Sequence, residues 1–178
     1  MKNNAEVKQK IESLDAAHFQ ELCDFITKLD YPEYQIIQTG MNIKGQTIKG
    51  TPDSLLFGPD GYICVEATII KTNIYNKIKS DIEKCLGLKI KEKIRIIIYH
   101  SGKLKIEEIA DLKKMVKENT SIQICGTDDI AGRIVNYYTF LGEKYLGIPL
   151  DSGSIIPISM LDNLTEHKSY SIPLNTKF

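Results

Sequence analysis

The spacing of apolar residues divides the chain into short helices and strands. Apolar positions recur every three or four residues in segments typical of amphipathic helices, and compact apolar runs between them are typical of strands. The predicted helices cover residues 16–29, 74–86, 106–118 and 127–146, and the predicted strands cover 34–39, 54–58, 62–70, 94–99 and 122–125. This order predicts an α/β fold: a mixed β-sheet flanked by helices, with an α-β-β-β-α-β core and an extra α-β-α.

The regular pattern ends at residue 146. Prolines interrupt the sequence beyond it, so we predict one domain over residues 1–146 and an extended tail over residues 147–178. The longest apolar runs are strand-length, and the N-terminus is polar, which predicts a cytoplasmic protein with no membrane partner. The four cysteines are widely spaced in apolar stretches, which favours buried free thiols over a zinc site.

Charge is unevenly distributed along the chain. The net charge is zero, which argues against a strongly electrostatic nucleic-acid binder. Residues 71–105 nevertheless contain ten basic and three acidic residues, a net of +7. This segment indicates either a face that meets a polyanion or a solvated lysine-rich helix and loop, and the sequence leaves both open.

Two carboxylates flank the strongest turn signal of the chain, Pro59-Asp60-Gly61. Asp53 precedes the first strand of this predicted hairpin, and Glu66 lies well inside the second. If the last two residues of the signal form the turn, Asp53 lies opposite Thr68 and Leu55 opposite Glu66. Alternation then places the two carboxylates on one face as diagonal neighbours, whereas a slip of one residue would move Asp53 to the other face.

Glu66 interrupts a strand that is otherwise apolar enough to be buried. A buried carboxylate needs a partner or a metal, and two neighbouring carboxylates repel each other unless a cation lies between them. Mg²⁺, which prefers oxygen ligands and keeps several waters, is the natural candidate. The alternative is a Glu66 that faces solvent or forms a salt bridge with a lysine.

The order of these motif residues is similar to that of a known family. Pro52-Asp53 followed by Glu66-x-Thr68, on the predicted element order, resembles the PD-(D/E)xK nuclease superfamily of restriction-endonuclease-like fold. More narrowly, the chain resembles the Mrr-type nuclease modules at the N-termini of bacterial antiviral STAND NTPases of the Avs type. Further motifs support the resemblance: Phe19-Gln20-x-Leu22-Cys23, Lys49-Gly50-Thr51-Pro52-Asp53, Asp60-Gly61, Asp81-Ile82-x-Lys84-Cys85-Leu86, Asp128-Asp129-Ile130 and Tyr145-Leu146-Gly147-Ile148-Pro149-Leu150-Asp151.

The resemblance implies metal-dependent hydrolysis of phosphodiester bonds. Asp53 and Glu66 would hold Mg²⁺, or Mn²⁺ in its place, and the metal would activate a water molecule. The third motif position, where the family has lysine, is Thr68, and Lys71 is the nearest substitute, with Lys77 or Lys79 as further candidates. Gln20 stands where many members carry a glutamate on the first helix.

Three functions compete on this basis. The leading hypothesis is a Mg²⁺-dependent DNA endonuclease that acts on double-stranded DNA as the effector domain of a larger antiphage defence protein. That hypothesis includes a homo-oligomer and a tail that leads to an NTPase module outside this sequence. The second is a catalytically weak or inactive nuclease-fold module that binds nucleic acid or another partner, which the missing lysine motivates. The third is a self-standing restriction enzyme.

Overall fold

The computed structural model of the chain describes residues 4–39, 51–116 and 118–150. Helices and strands alternate through these residues. In chain order they are α1 Asn4–Ser13, α2 Ala16–Asp30, β1 Gln35–Thr39, β2 Ser54–Gly58, β3 Gly61–Thr68, α3 Ile74–Leu86, β4 Ile94–His100, α4 Ile106–Lys113, β5 Thr120–Cys125, α5 Thr127–Asn136 and α6 Phe140–Leu146.

The strands form one five-stranded sheet in the order β1-β2-β3-β4-β5. β1, β2 and β3 are antiparallel neighbours, whereas β3, β4 and β5 run parallel to each other. The parallel strands are joined by α3 and α4, as parallel pairing requires a crossover connection. The α/β fold with a mixed sheet flanked by helices, predicted from the sequence, is confirmed.

Helices cover both faces of the sheet. On one face, here called the α2 face, side chains of α1, α2, α5 and α6 pack against residues such as Ile63, Val65 and Tyr99. On the other, the α3 face, side chains of α3 and α4 pack against Cys64 and Ile96. Because the pleat alternates along each strand, neighbouring residues of β3 and β4 point into different cores. This explains why β4 is apolar almost throughout.

Several predicted bounds were wrong. α1 was missed, since only Val7 and Ile11 are buried in it and its apolar stripe is weak. The single helix predicted over 127–146 is two helices, and the N–H groups of Tyr137 and Tyr138 both donate to the carbonyl of Arg133 at the break between them. The helix predicted over 106–118 ends at residue 113, the strand predicted over 62–70 ends at residue 68, and β5 begins two residues early.

The start of the predicted tail packs against the domain. Ile148 is buried among residues of the α2 face, and its N–H donates to the carbonyl of Gly142 at 2.9 Å. Residues 151–178 of the predicted tail, and residues 40–50 before Thr51, lie outside the described residues. The four cysteines are all buried and free, as predicted. In the part of the chain that the structure describes, no helix is long and apolar enough to cross a membrane.

Candidate metal and phosphodiester site

The β2–β3 hairpin differs in register from the prediction. Its turn is formed by Pro59 and Asp60, and Gly58 pairs with Gly61, so the strands pair two residues away from the predicted alignment. The fixed φ of proline suits the first central position of a turn, and Gly61 takes φ +114° against the carbonyl of Lys93, where a Cβ would come within 2.3 Å of that oxygen. A shift of two residues keeps the side-chain alternation but changes every partner.

The new register brings Asp53 level with Glu66. Ser54 pairs with Val65, so Asp53, the residue before β2, comes opposite Glu66 and not opposite Thr68 as predicted. Asp53 Oδ2 accepts a hydrogen bond of 2.9 Å from the N–H of Ala67. Since backbone N–H groups of a strand lie in the plane of the sheet, the Asp53 carboxylate stands at the edge of β3 where β2 begins. The two predicted metal ligands are therefore closer than the diagonal placement implied.

Glu66 is buried, as its apolar surroundings predicted, with 1% of its surface exposed. Lys84 from α3 lies 2.6 Å from Oε1 of Glu66 and donates to Oε2 at 2.7 Å. Cys85 Sγ donates a long hydrogen bond of 3.7 Å to Oε1. The salt bridge to a lysine, one branch of the alternative interpretation of Glu66, is thus present, and it is buried.

Asp81 brings a further carboxylate to the same region. One helical turn separates Asp81 from Lys84 and from Lys77, which donates to Asp81 Oδ1 at 2.5 Å. The same Oδ1 lies 3.9 Å from Lys84 Nζ. Oδ2 is buried and has no hydrogen-bond partner among the described residues. An unpaired buried carboxylate oxygen is costly, so Asp81 has an unused capacity to accept a cation or a proton donor.

Two α2 residues approach Asp53 from the other side. Asp24 accepts a hydrogen bond of 2.8 Å from Ser54 Oγ, and its Oδ1 is buried without a partner in the described part of the chain. Gln20 Nε2 donates to the backbone carbonyl of Asp53 at 3.3 Å. Gln20, one of the predicted site residues, therefore positions the Asp53 backbone, while Asp24, one turn further along α2, supplies the nearby acid.

The electrostatics of this site show an excess of negative charge. Burial raises the pKa of Glu66 to about 8, and the charge of Asp53 adds to the rise although Lys84 opposes it. Burial raises the pKa of Asp24 to about 6, with a further contribution from Asp53. The pKa of Asp81 is also raised, mainly by burial. We call Asp24, Asp53, Glu66 and Asp81 the acidic cluster; Lys77 and Lys84 contact its carboxyl groups, and the charge of Lys28 acts on Asp24.

The described hydrogen bonds of Lys71 and Thr68 are made outside the acidic cluster. Lys71 was proposed as the substitute lysine, but β3 ends before it, and its Nζ donates at 3.5 Å to the carbonyl of Glu12 in an exposed contact. Thr68 is buried, and its Oγ1 accepts a hydrogen bond of 3.3 Å from the N–H of Ile70. Lys79 is exposed. The described contact of Lys71 is with Glu12 and not with Glu66, and its role as the substitute lysine stays a prediction.

The basic segment 71–105 does not form a single face. Its lysines at positions 77 and 84 contact carboxylates, and the Arg95 guanidinium lies 4.8 Å above the ring centre of Tyr31. Exposed lysines precede β4 at positions 89, 91 and 93 and follow it at 103 and 105. A seven-residue strand is roughly 23 Å long, so these two groups lie at opposite ends of the sheet.

Comparison of the chain with family models, with curated proteins and with solved structures finds no match. Within the described ranges, no group of three or more His, Cys, Asp or Glu side chains is arranged to hold a metal ion. The resemblance to PD-(D/E)xK nucleases therefore stays a prediction that rests on the motif residues.

Sequence reasoning found Asp53 and Glu66 but missed the residues that surround them. Lys84 and Asp81 lie on α3, and the motif Asp81-Ile82-x-Lys84 was noted only as part of the resemblance. One signal was available: Asp81 lies on the buried side of α3, within the apolar stripe that had been assigned, and Lys84 flanks that stripe next to the buried Cys85. A long-range contact between β3 and α3 cannot be derived from periodicity alone.

Proposed function

We propose that the chain is a divalent-cation-dependent endonuclease that hydrolyses phosphodiester bonds of double-stranded DNA. The observation that carries the proposal is the pair Asp53 and Glu66, level with each other at the start of β2, together with the excess of buried carboxyl groups around them. Strongly shifted pKa values that arise from burial and like charge are concentrated at functional sites.

The donor set fits Mg²⁺ or Mn²⁺. Both ligands would be carboxylates, and Mg²⁺ commonly binds proteins through one or two carboxylates while water fills its other positions. A cluster of three protein ligands is therefore not required. Burial and, to a smaller extent, the charge of Asp53 raise the pKa of Glu66 although Lys84 opposes them, so a bound cation would stabilise the ionised form of Glu66. When bound, the metal would supply an activated water and a positive charge next to the phosphate.

Lys84 would perform the role of the motif lysine, whose position in this chain is occupied by Thr68. Its ammonium is the cation in contact with Glu66, and the hydrogen bond to Glu66 and the charges of Asp53 and Asp81 raise its pKa although burial opposes them. A lysine that remains protonated beside the metal ligands orients a water molecule and offsets charge on the phosphate. Its position on α3, and not on β3, distinguishes this chain from the motif.

The resemblance and the charge of the chain support a role as an effector. We infer that the domain acts within a larger antiphage defence protein as a homo-oligomer, and that residues 147–178 lead towards an NTPase module. A net charge of zero gives weak intrinsic attraction to DNA, which suits a nuclease that cuts only when several copies are brought together. The chain would then work in the cytoplasm.

The second candidate is a nuclease-fold module that binds nucleic acid or another partner without turnover. It is favoured by the contact of both Glu66 oxygens with Lys84, which leaves the carboxylate already paired. The two candidates predict different outcomes in a cleavage assay.

The test is cleavage of supercoiled plasmid by the chain, both alone and fused to an oligomerising domain, with Mg²⁺ or Mn²⁺. Asp53→Asn and Glu66→Gln each remove one carboxylate at constant size, and we expect each to reduce cleavage by about 100-fold or more, since each removes a metal ligand. Asp60→Asn is the matched control, because it removes an exposed carboxylate from the hairpin turn.

The outcomes separate the candidates. Cleavage that survives both substitutions shows that the site is elsewhere. Plasmid binding without cleavage, with either metal and in the fused form, favours the binding module.

A further inference from the structure

The contact between Lys84 and Glu66 occupies the side of Glu66 that a metal ion would need. Nζ lies 2.6 Å and 2.7 Å from the two carboxylate oxygens, while 24% of the Lys84 side chain remains exposed. An ammonium group at this position repels a second cation. Binding of a divalent ion to Glu66 therefore requires Lys84 to move, and a partly buried ammonium that leaves one carboxylate is stabilised by another carboxylate nearby.

Asp81 is a nearby carboxylate that can accept the ammonium group of Lys84. Asp81 Oδ1 lies 3.9 Å from Lys84 Nζ, and residues three apart on a helix are neighbours on its surface. The Asp81 side chain is 5% exposed, and its Oδ2 has no hydrogen-bond partner among the described residues. Lys77 already takes Oδ1 at 2.5 Å, so Oδ2 is the atom with free capacity.

We propose that Lys84 is an exchangeable internal counter-ion, paired with Glu66 in the cation-free protein and with Asp81 once a divalent cation is bound. Asp81 is then a positioning residue that acts on the metal site through Lys84. This inference rests on the proposed function, because it takes Asp53 and Glu66 as the metal ligands. It goes beyond that function by assigning Asp81, which the motif does not contain, a part in cation binding.

The exchange explains two features together. Without a metal, the ammonium of Lys84 offsets the negative charge of the buried Glu66. This limits the free-energy cost of placing the carboxylates of Asp53, Glu66 and Asp81 near each other. Asp81 Oδ2, which has no partner among the described residues, would then accept a hydrogen bond from Lys84 when the cation is bound. A lysine side chain suits this movement, since its flexible stem carries a point charge with three rotatable donors.

The test is a double-mutant cycle on cation affinity, measured without DNA. Mn²⁺ is titrated into the wild type, Asp81→Asn, Lys84→Met and the double variant, and binding is followed by the relaxation of water protons. Removing Asp81 leaves Lys84 without its second partner, so we expect Asp81→Asn to weaken Mn²⁺ binding by about tenfold, equivalent to about 1.4 kcal/mol. In the Lys84→Met background the same substitution is expected to change the affinity by less than about twofold.

Thermal melting of each variant serves as the control for folding. Lys84→Gln, whose amide still donates to Glu66, replaces Lys84→Met if the methionine variant melts early. An equal loss of affinity in both backgrounds overturns the exchange, because Asp81 would then act through space and not through Lys84. An absence of Mn²⁺ binding in all four proteins overturns the proposed function together with it.

Discussion

Two partly buried ion pairs lie on opposite faces of the sheet, and they differ in how well their charges are matched. On the α2 face, Asp30 accepts hydrogen bonds from Arg133 and, at 2.6 Å, from the Tyr138 hydroxyl, so each of its oxygens has a donor. On the α3 face, Glu66 and Asp81 share Lys84, and one Asp81 oxygen has no partner in the described residues. In each pair, a carboxylate from one element contacts a basic side chain from another element.

The difference shows which kind of buried charge indicates function. The Asp30 pair is closed, with one carboxylate against one guanidinium and a phenol, and such pairs give a fold its specificity. The acidic cluster is unbalanced: Asp24 Oδ1 and Asp81 Oδ2 have no hydrogen-bond partner in the described residues, and burial, with a smaller contribution from neighbouring carboxylates, raises the pKa of Glu66, Asp24 and Asp81. Partial burial of an ion pair is common to both, whereas the buried carboxylate oxygens that have no partner in the described residues belong to the acidic cluster.

Breaking the closed pair should have the largest effect on stability. Arg133→Met leaves Asp30 partly buried with only Tyr138 as donor, and we expect the free energy of unfolding to fall by about 3 kcal/mol. Chemical denaturation followed by circular dichroism measures this. A loss below about 1 kcal/mol would show that solvent reaches Asp30 and that the pair is not closed.

The pH dependence of stability should reveal Asp24. Burial raises its pKa to about 6 from the ordinary value of 3.8, so its contribution to folding is full below pH 3.8 and is lost as the pH rises through 6. Asp24→Asn lacks this titration. We expect the stability of the wild type relative to Asp24→Asn to fall by about 2 kcal/mol between pH 4 and pH 7. Parallel pH profiles for the two proteins would contradict the raised pKa.

Breaking the unbalanced pair should cost less than breaking the closed one. Lys84→Met leaves Glu66 without its ammonium, but a carboxyl group whose pKa already lies at about 8 takes up a proton readily. We expect the free energy of unfolding at pH 7 to fall by about 1 kcal/mol, since protonation limits the penalty. A loss as large as that of Arg133→Met would remove the distinction between the two pairs.

The smallest effect is expected at Lys71. Its contact with the carbonyl of Glu12 is long and exposed, so Lys71→Met should change the free energy of unfolding by less than about 0.5 kcal/mol. Plasmid cleavage should also change by less than about twofold, an upper limit for a residue outside the acidic cluster. A large fall in cleavage with unchanged stability would restore Lys71 as the substitute lysine.

The sequence predicted the order of the elements apart from α1 and the break between α5 and α6, and it placed Asp53 and Glu66 on the two strands of one hairpin. Apolar spacing predicted the helices and strands that build the sheet, and the interruption of an apolar strand by Glu66 predicted that its burial would need compensation. The register failed by two residues, because Asp60-Gly61 was taken as the turn and the preference of Pro59 for the first central position was not weighed. Lys84, Asp81 and Asp24 come from helices packed on the sheet, and their contacts depend on tertiary packing that periodicity does not encode.

The most direct test of the central claim is the stoichiometry of Mn²⁺ binding by proteins that lack one carboxylate each. We predict one tightly bound ion per chain in the wild type, loss of that ion in Asp53→Asn and in Glu66→Gln, and its retention in Asp30→Asn, which removes a carboxylate from the closed pair. Retention of the ion in both Asp53→Asn and Glu66→Gln would contradict the assignment of these two residues as a shared cation site.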